Sequence, residues 1–183
     1  IFSRQRYWGE PFPVYYKKGL PYMIDEVYLP LKLPDIEKYL PTKDGDPPLG
    51  RADEWAWDTV KNKTVSTSLI NQTTVFPLEL NTMPGWAGSS WYFLKYTNSS
   101  NSNPVKKNDG LSYWKNVDLY IGGNEHATGH LLYSRFWTKV LYDRDFISFD
   151  EPFKKLINQG MILGSSAIIY RDSRSKKFIS KDL

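Results

Sequence analysis

Apolar and polar residues alternate near the centre of the chain. Val117, Leu119 and Ile121 interleave with Asp118 and Tyr120, the period of a strand with two chemically different faces. Gly122-Gly123 breaks the alternation, and Asn124 has the chemistry of a helix N-cap. Tyr133, Phe136, Trp137, Val140 and Leu141 then follow helical spacing at i, i+3, i+4, i+7 and i+8. The pattern therefore predicts strand, glycine turn and helix over 117–141.

Elsewhere the pattern is shorter in range. Val14–Lys17 and Tyr22–Ile24 flank Lys18-Gly19-Leu20-Pro21, which reads as a hairpin. Eight of the twelve prolines fall between Pro11 and Pro48, so long helices are not expected there. Short helices are predicted at Asp35–Leu40 and at Asp53–Val60, where Trp55 and Trp57 sit close together. Pro84-Gly85 marks a turn before a helix predicted at Ser89–Tyr96, which sets Trp86 and Ser89 at a junction facing a ligand crevice. Asn98–Gly110 is polar and without periodicity, the composition of a mobile surface loop. Phe153–Leu163 reads as a strand, and Ala167–Tyr170 with Lys177–Ser180 as a second hairpin.

A chain of 183 residues with 40% hydrophobic and 16% aromatic content can bury a core, which excludes disorder as a description of the whole. A formal charge of +4 permits a nucleic-acid partner without requiring one. With no cysteine there are no disulfides and no thiolate metal sites. No apolar run reaches the length of a membrane span, and no signal peptide is visible. The start at Ile1, without an initiator Met, suggests a piece excised from a longer chain.

Both histidines, His126 and His130, stand four residues apart just after the glycine pair. The carboxyl end of a parallel strand opens onto the crevice where α/β sheets bind ligands, and a helix start favours an anion. Glu125 beside the glycines can take ribose hydroxyls, and the imidazoles can donate to phosphate or carboxylate oxygens. The alternative is an ordinary surface pair of histidines. Glu-His-x-x-x-His reverses the order of the zinc-protease motif, so no metal site is assigned. Arg4 and Arg6 flank Gln5 next to Tyr7 and Trp8, a set that can bind phosphate and stack on bases or simply pack as a hinge.

Four stretches carry a resemblance. V-D-L-Y-I-G-G-N-E-H-A-T-G-H-L-L-Y-S-R-F-W at 117–137, S-R-Q-R-Y-W-G at 3–9, G-S-S-W-Y-F at 88–93 and E-P-F-K-K-L-I-N-Q-G-M-I at 151–162 resemble the bacterial leucyl-tRNA synthetases, a family of class I aminoacyl-tRNA synthetases. The stretches match the half of the catalytic domain that follows the editing insertion. The S-R-Q-R-Y-W-G motif is shared with isoleucine and, loosely, valine enzymes, whereas the Gly-Gly-x-Glu-His run is the leucine type. An isoleucyl- or valyl-tRNA synthetase and a non-catalytic RNA-binding module remain as alternatives.

The resemblance implies an α/β fold, the second half of a class I Rossmann-type catalytic core with a Pro-rich insertion and a C-terminal hairpin. Residues 1–9 would be the junction from the editing domain, 10–76 the insertion, 77–163 the core half and 164–183 the start of a leucine-specific insertion. The parent activity would be activation of leucine with ATP to leucyl-adenylate, with Mg2+ accompanying the ATP, and transfer to tRNA(Leu) in the cytoplasm. By resemblance Trp86, Ser89, Tyr120 and His130 contact leucine, Trp86 standing where the familiar bacterial pattern has Phe. Gly122, Gly123, Glu125 and His126 hold the adenylate, Gln159, Gly160 and Met161 the adenine, and Arg4 and Arg6 the tRNA. His126 and His130 are the candidate catalytic groups. The other core half and the editing and anticodon-binding domains would be partners in the same polypeptide. Class I enzymes also use a His-x-Gly-His signature and a Lys-Met-Ser-Lys-Ser loop, and neither occurs in this chain, so the chain by itself is expected to be inactive.

Overall fold

In the computed structural model, which describes residues 2–97 and 109–180, the described chain folds as several small sheets and short helices around three apolar clusters. Strands β1 (Val14–Lys17) and β2 (Leu20–Met23) form the expected hairpin. Its turn is only Lys18-Gly19, both with positive φ (52° and 76°), so β2 starts two residues earlier than the pattern placed it. Two left-handed residues give the turn whose twist matches that of paired strands.

The predicted helices at Asp35–Leu40 and Asp53–Val60 do not form. Residues 35–40 have no regular element and lie between Pro34 and Pro41, neither of which can donate a helical hydrogen bond. Residues 56–58 are instead β3 (Ala56–Asp58), the centre of an antiparallel sheet between β4 (Lys63–Val65) and β5 (Val75–Pro77). A central strand is covered on both faces, and β3 is buried at every position. The first core gathers Tyr7, Ile24, Leu49, Trp55, Trp57 and Leu78 around this sheet. The Trp55 indole donates to the Glu79 carbonyl (2.9 Å), and the Tyr7 hydroxyl to the Pro34 carbonyl (2.7 Å). The polar atoms of these two buried aromatics are thereby satisfied.

The helix expected at Ser89–Tyr96 starts earlier and is broken. It becomes α1 (Trp86–Ser89) and α2 (Tyr92–Tyr96), separated at Trp91, whose φ of −117° is not helical. Of the polar loop expected at Asn98–Gly110, residues 98–108 lie outside the described residues, and the last two open α3 (Asp109–Trp114). The second core joins Phe93, Leu94, Leu111 and Ile147, with Val117, Leu141 and Phe153 against them.

The central strand is β6 (Tyr120–Ile121), parallel to β7 (Leu156–Ile157), and the ladder runs from Val117–Phe153 to the Gly122 amide on the Ile157 carbonyl (3.1 Å). The face that turns inward is not the apolar one. Tyr120 stacks on Phe153 (3.9 Å between ring centres, 8° apart), while Leu119 and Ile121 are exposed. The strand predicted over Phe153–Leu163 ends at Ile157, where the Asn158 carboxamide accepts the Gly160 amide (3.0 Å) and Gly160 takes φ 78°. The second hairpin also shrinks, to β8 (Tyr170–Arg171) and β9 (Phe178–Ile179).

Asn124 is not a cap. Gly123, extended at φ −72° and ψ 159°, precedes a 3-10 turn (Asn124–His126), which leads into one wide π turn (Ala127–Leu131) before α4 (Leu132–Asp143). Ser134 and Thr138 are the fully buried positions of α4, their hydroxyls bonded back to the carbonyls of His130 and Ser134. The aromatic stripe of Tyr133, Phe136 and Trp137 is covered by Phe2, whose ring lies 5.9–6.1 Å from all three.

Candidate functional site

β6 and β7 run parallel, so their carboxyl ends open on the same side. There a cleft of about 360 Å³ lies between α1, α2, the end of β6 and the π turn, lined by Trp86, Ser89, Tyr92, Tyr120, Ile121, Gly122, His126, His130 and Leu131. Its size is that of a small-molecule site.

The glycine turn explains how these elements approach. A Cβ on Gly129 would sit 3.0 Å from the Trp86 indole, so glycine lets the π turn pack against that ring without shifting it by a few tenths of an ångström. π turns interrupt α-helices chiefly where side chains must be re-aimed. Here the turn separates the two histidines: His130 is buried and His126 remains about half exposed.

Polar atoms inside the cleft are chained together. Tyr120 Oη is 2.5 Å from His130 Nε2 and 2.5 Å from Tyr92 Oη. The Tyr92 ring stacks on the imidazole (5.6 Å, 23°). On the far side His130 Nδ1 lies 3.4 Å from Ser134 Oγ, which donates to the carbonyls of Ser90 and His130 at 2.7 Å each. Burial, with the charge of His126 second, holds His130 below the usual imidazole range. Burial and then the Tyr92 hydrogen bond raise the Tyr120 phenol. Near neutral pH the histidine is uncharged and the phenol protonated.

Glu125 does not line the cleft. Its carboxylate folds back over Gly123, where a Cβ would lie 2.0 Å from Oε2, and stands 3.6 Å from His126 Nε2. Gln159, Gly160 and Met161 follow β7 as an exposed irregular segment. Arg4 and Arg6 are exposed on an edge sewn to Thr82 through the Arg4 amide, the Thr82 amide and the Thr82 hydroxyl on the Arg6 carbonyl. The structure thus brings Trp86, Ser89, Tyr120, Gly122, His126 and His130 into one cleft, and leaves Gly123, Glu125, residues 159–161 and the two arginines outside its lining. Tyr92, Ile121 and Leu131 also line it and were not singled out in the sequence. For Tyr92 a signal existed, since it stands three residues after Ser89 on a predicted helix. Among the described residues no group of three or more His, Cys, Asp or Glu could hold a metal ion, and no helix is long and apolar enough to cross a membrane.

No family model matches the chain. Its whole length is 63% identical over 182 residues to leucine–tRNA ligase of Flavobacterium johnsoniae and 62% over 183 residues to that of Flavobacterium psychrophilum, covering 19% of each. The structure of the ternary complex of Agrobacterium radiobacter K84 agnB2 LeuRS with tRNA and LeuAMS superposes on 87% of the chain and 19% of its own, with a TM-score of 0.68 and 39% identity. In sequence and in fold the chain is similar to one part of the aminoacyl-tRNA synthetases it was compared with. Within that class it corresponds to one stretch of the bacterial leucine–tRNA ligases, at 51–63% identity to the relatives compared, rather than to isoleucine or valine enzymes. The chain spans about 19% of the length of those relatives.

Proposed function

We propose that this chain forms the leucine-binding wall and the adenylate-facing turn of a class I leucine–tRNA ligase, which joins leucine to ATP as leucyl-adenylate and passes it to tRNA(Leu). The observation that carries this reading is the convergence of Trp86, Ser89, Tyr120 and His130, from three separate elements, on one cleft. Trp86 and the faces of Tyr92, Tyr120 and His130 supply apolar walls for a branched aliphatic side chain. Gly122 and His126 on the same rim put a backbone and an imidazole where the carboxylate and α-phosphate would meet.

Adenylate formation requires no protein nucleophile. The leucine carboxylate oxygen attacks the α-phosphorus of ATP and pyrophosphate leaves, so the protein aligns the two reactants and stabilises the developing charge. His126, exposed at the rim, would donate to an α-phosphate oxygen. Glu125 would accept ribose hydroxyls once its carboxylate swings off Gly123. The 159–161 segment, next to Gly122 across the β6–β7 ladder, would pair with adenine through its backbone. Mg2+ enters with ATP. Arg4 and Arg6, on the strand edge at Thr82, would meet tRNA phosphates. In this reading residues 77–163 are half of a Rossmann-type core and 10–76 an insertion packed on it, in a cytoplasmic enzyme.

Leucine-dependent ATP–pyrophosphate exchange by the full-length ligase carrying this stretch tests the reading. Leucine should outpace isoleucine and valine; faster exchange with either would overturn it.

A further inference from the structure

The polar atoms of the cleft can be assigned donors and acceptors one by one. Ser134 Oγ has a single proton, and two carbonyls, of Ser90 and His130, stand 2.7 Å from it. Its proton is therefore committed, and towards His130 Nδ1 at 3.4 Å it can only accept. Nδ1 then carries the imidazole proton and Nε2 a lone pair. That lone pair takes the Tyr120 proton across 2.5 Å, and Tyr120 in turn accepts from Tyr92 across 2.5 Å. The opposite order would set the Nδ1 lone pair against the Ser134 oxygen.

We propose that Tyr92, Tyr120, His130 and Ser134 form a hydrogen-bond chain directed from Tyr92 to Ser134, and that this direction makes Tyr92 a specificity-determining residue favouring an aliphatic side chain over an isostere bearing a hydroxyl. The proposal rests on the leucine-site reading above. While the chain runs this way, the Tyr92 hydroxyl fills an accepting position of Tyr120, and every O–H and N–H of the chain is turned away from the ligand. A hydroxyl on the ligand finds no donor on the chain, can only donate to the Tyr92 oxygen, and loses its water.

Protonation of His130 reverses the chain. Nε2 becomes a donor to Tyr120, Tyr120 donates to Tyr92, and the Tyr92 proton turns outward, presenting a donor to the cleft. The titratable groups facing His130 are Tyr120 on β6, Tyr92 on α2, and His126 with Glu125 behind it on the 3-10 turn; α1 contributes none.

The test uses the full-length ligase in pyrophosphate exchange, comparing leucine with γ-hydroxynorvaline, in which a hydroxyl replaces one methyl. Tyr92→Phe should raise the hydroxynorvaline-to-leucine ratio of kcat/KM by about tenfold, because the ligand hydroxyl can take the vacated position on Tyr120. In the unmodified enzyme the same ratio should climb only as pH falls below the ordinary imidazole value, because burial holds His130 there. A ratio unmoved by the substitution, or a ratio in the unmodified enzyme that does not climb at acid pH, overturns the chain. If Tyr92→Phe does not fold, the drift in the unmodified enzyme decides. Trp86→Ala is the control for the site: no change in its leucine KM would overturn the leucine-site reading, whereas a raised leucine KM with a hydroxynorvaline-to-leucine ratio unchanged by Tyr92→Phe overturns the chain alone.

Discussion

Tyr120 Oη and His130 Nε2 lie 2.5 Å apart, across the gap between the end of a parallel strand and a π turn. Neither position is set by its own element. Tyr120 is turned inward by stacking on Phe153, and His130 is buried by the widened turn. Tyr120→Phe leaves the buried imidazole nitrogen without its donor, a loss of about 1–3 kcal/mol. Leucine KM in pyrophosphate exchange should rise about fivefold or more, with ATP KM nearly unchanged.

Gly129 sets the distance to Trp86. Gly129→Ala places a Cβ 3.0 Å from the indole, which must yield by a few tenths of an ångström. Overpacking of this kind costs ~1–3 kcal/mol, so leucine KM should rise about five- to tenfold. A leucine titration at saturating ATP measures it, and restoration of the KM by a smaller side chain at residue 86 would identify the clash.

Glu125→Gln tests the adenylate-facing turn. A charge-assisted bond to a ribose hydroxyl is worth roughly 1.5–3 kcal/mol, so ATP KM should rise about tenfold or more while leucine KM holds. An ATP titration with unchanged KM would remove Glu125 from the site.

Glu151 joins the segment after α4 back to that helix through Arg135 (2.7 Å) and Lys139 (3.3 Å). The Arg135 hydrogen bonds, with Lys139 adding, hold its carboxyl down at about 2, against an ordinary 4.5. A depressed acid stabilises the fold above its unfolded value and loses that contribution as pH falls through the folded one. Glu151→Gln should therefore lower the melting temperature slightly at pH 7, and thermal scans should show the gap closing between pH 4.5 and pH 2. A gap that persists at pH 2 would mean the ion pair is not its source.

How much of this was legible depended on what each residue contacts. The hairpin at Lys18-Gly19 was readable because two turn residues decide it locally. The strand, glycine pair and helix over 117–141 were readable in order, and Ser89, Tyr120 and His130, which the structure brings to one cleft, lie in the motif stretches. β3 was misread as helix because Ala56, Trp57 and Asp58 owe their conformation to strands on both sides. The inward face of β6 was misread because a Tyr–Phe stack, not the apolar alternation, chose it. Tyr92 was missed because its partner hydroxyl, Tyr120, lies 28 positions away and periodicity carries no record of such a bond.

The most direct measurement of the central claim is the split between leucine and ATP in a Trp86→Ala variant of the full-length ligase. Trp86 covers one wall of the cleft and touches the π turn that carries His130. If the cleft holds the leucine side chain, removing the indole should raise leucine KM by about tenfold or more, the scale set by lost apolar burial, and leave ATP KM within about twofold. Equal rises in both constants, or no rise in either, would contradict the account and make Trp86 a packing residue.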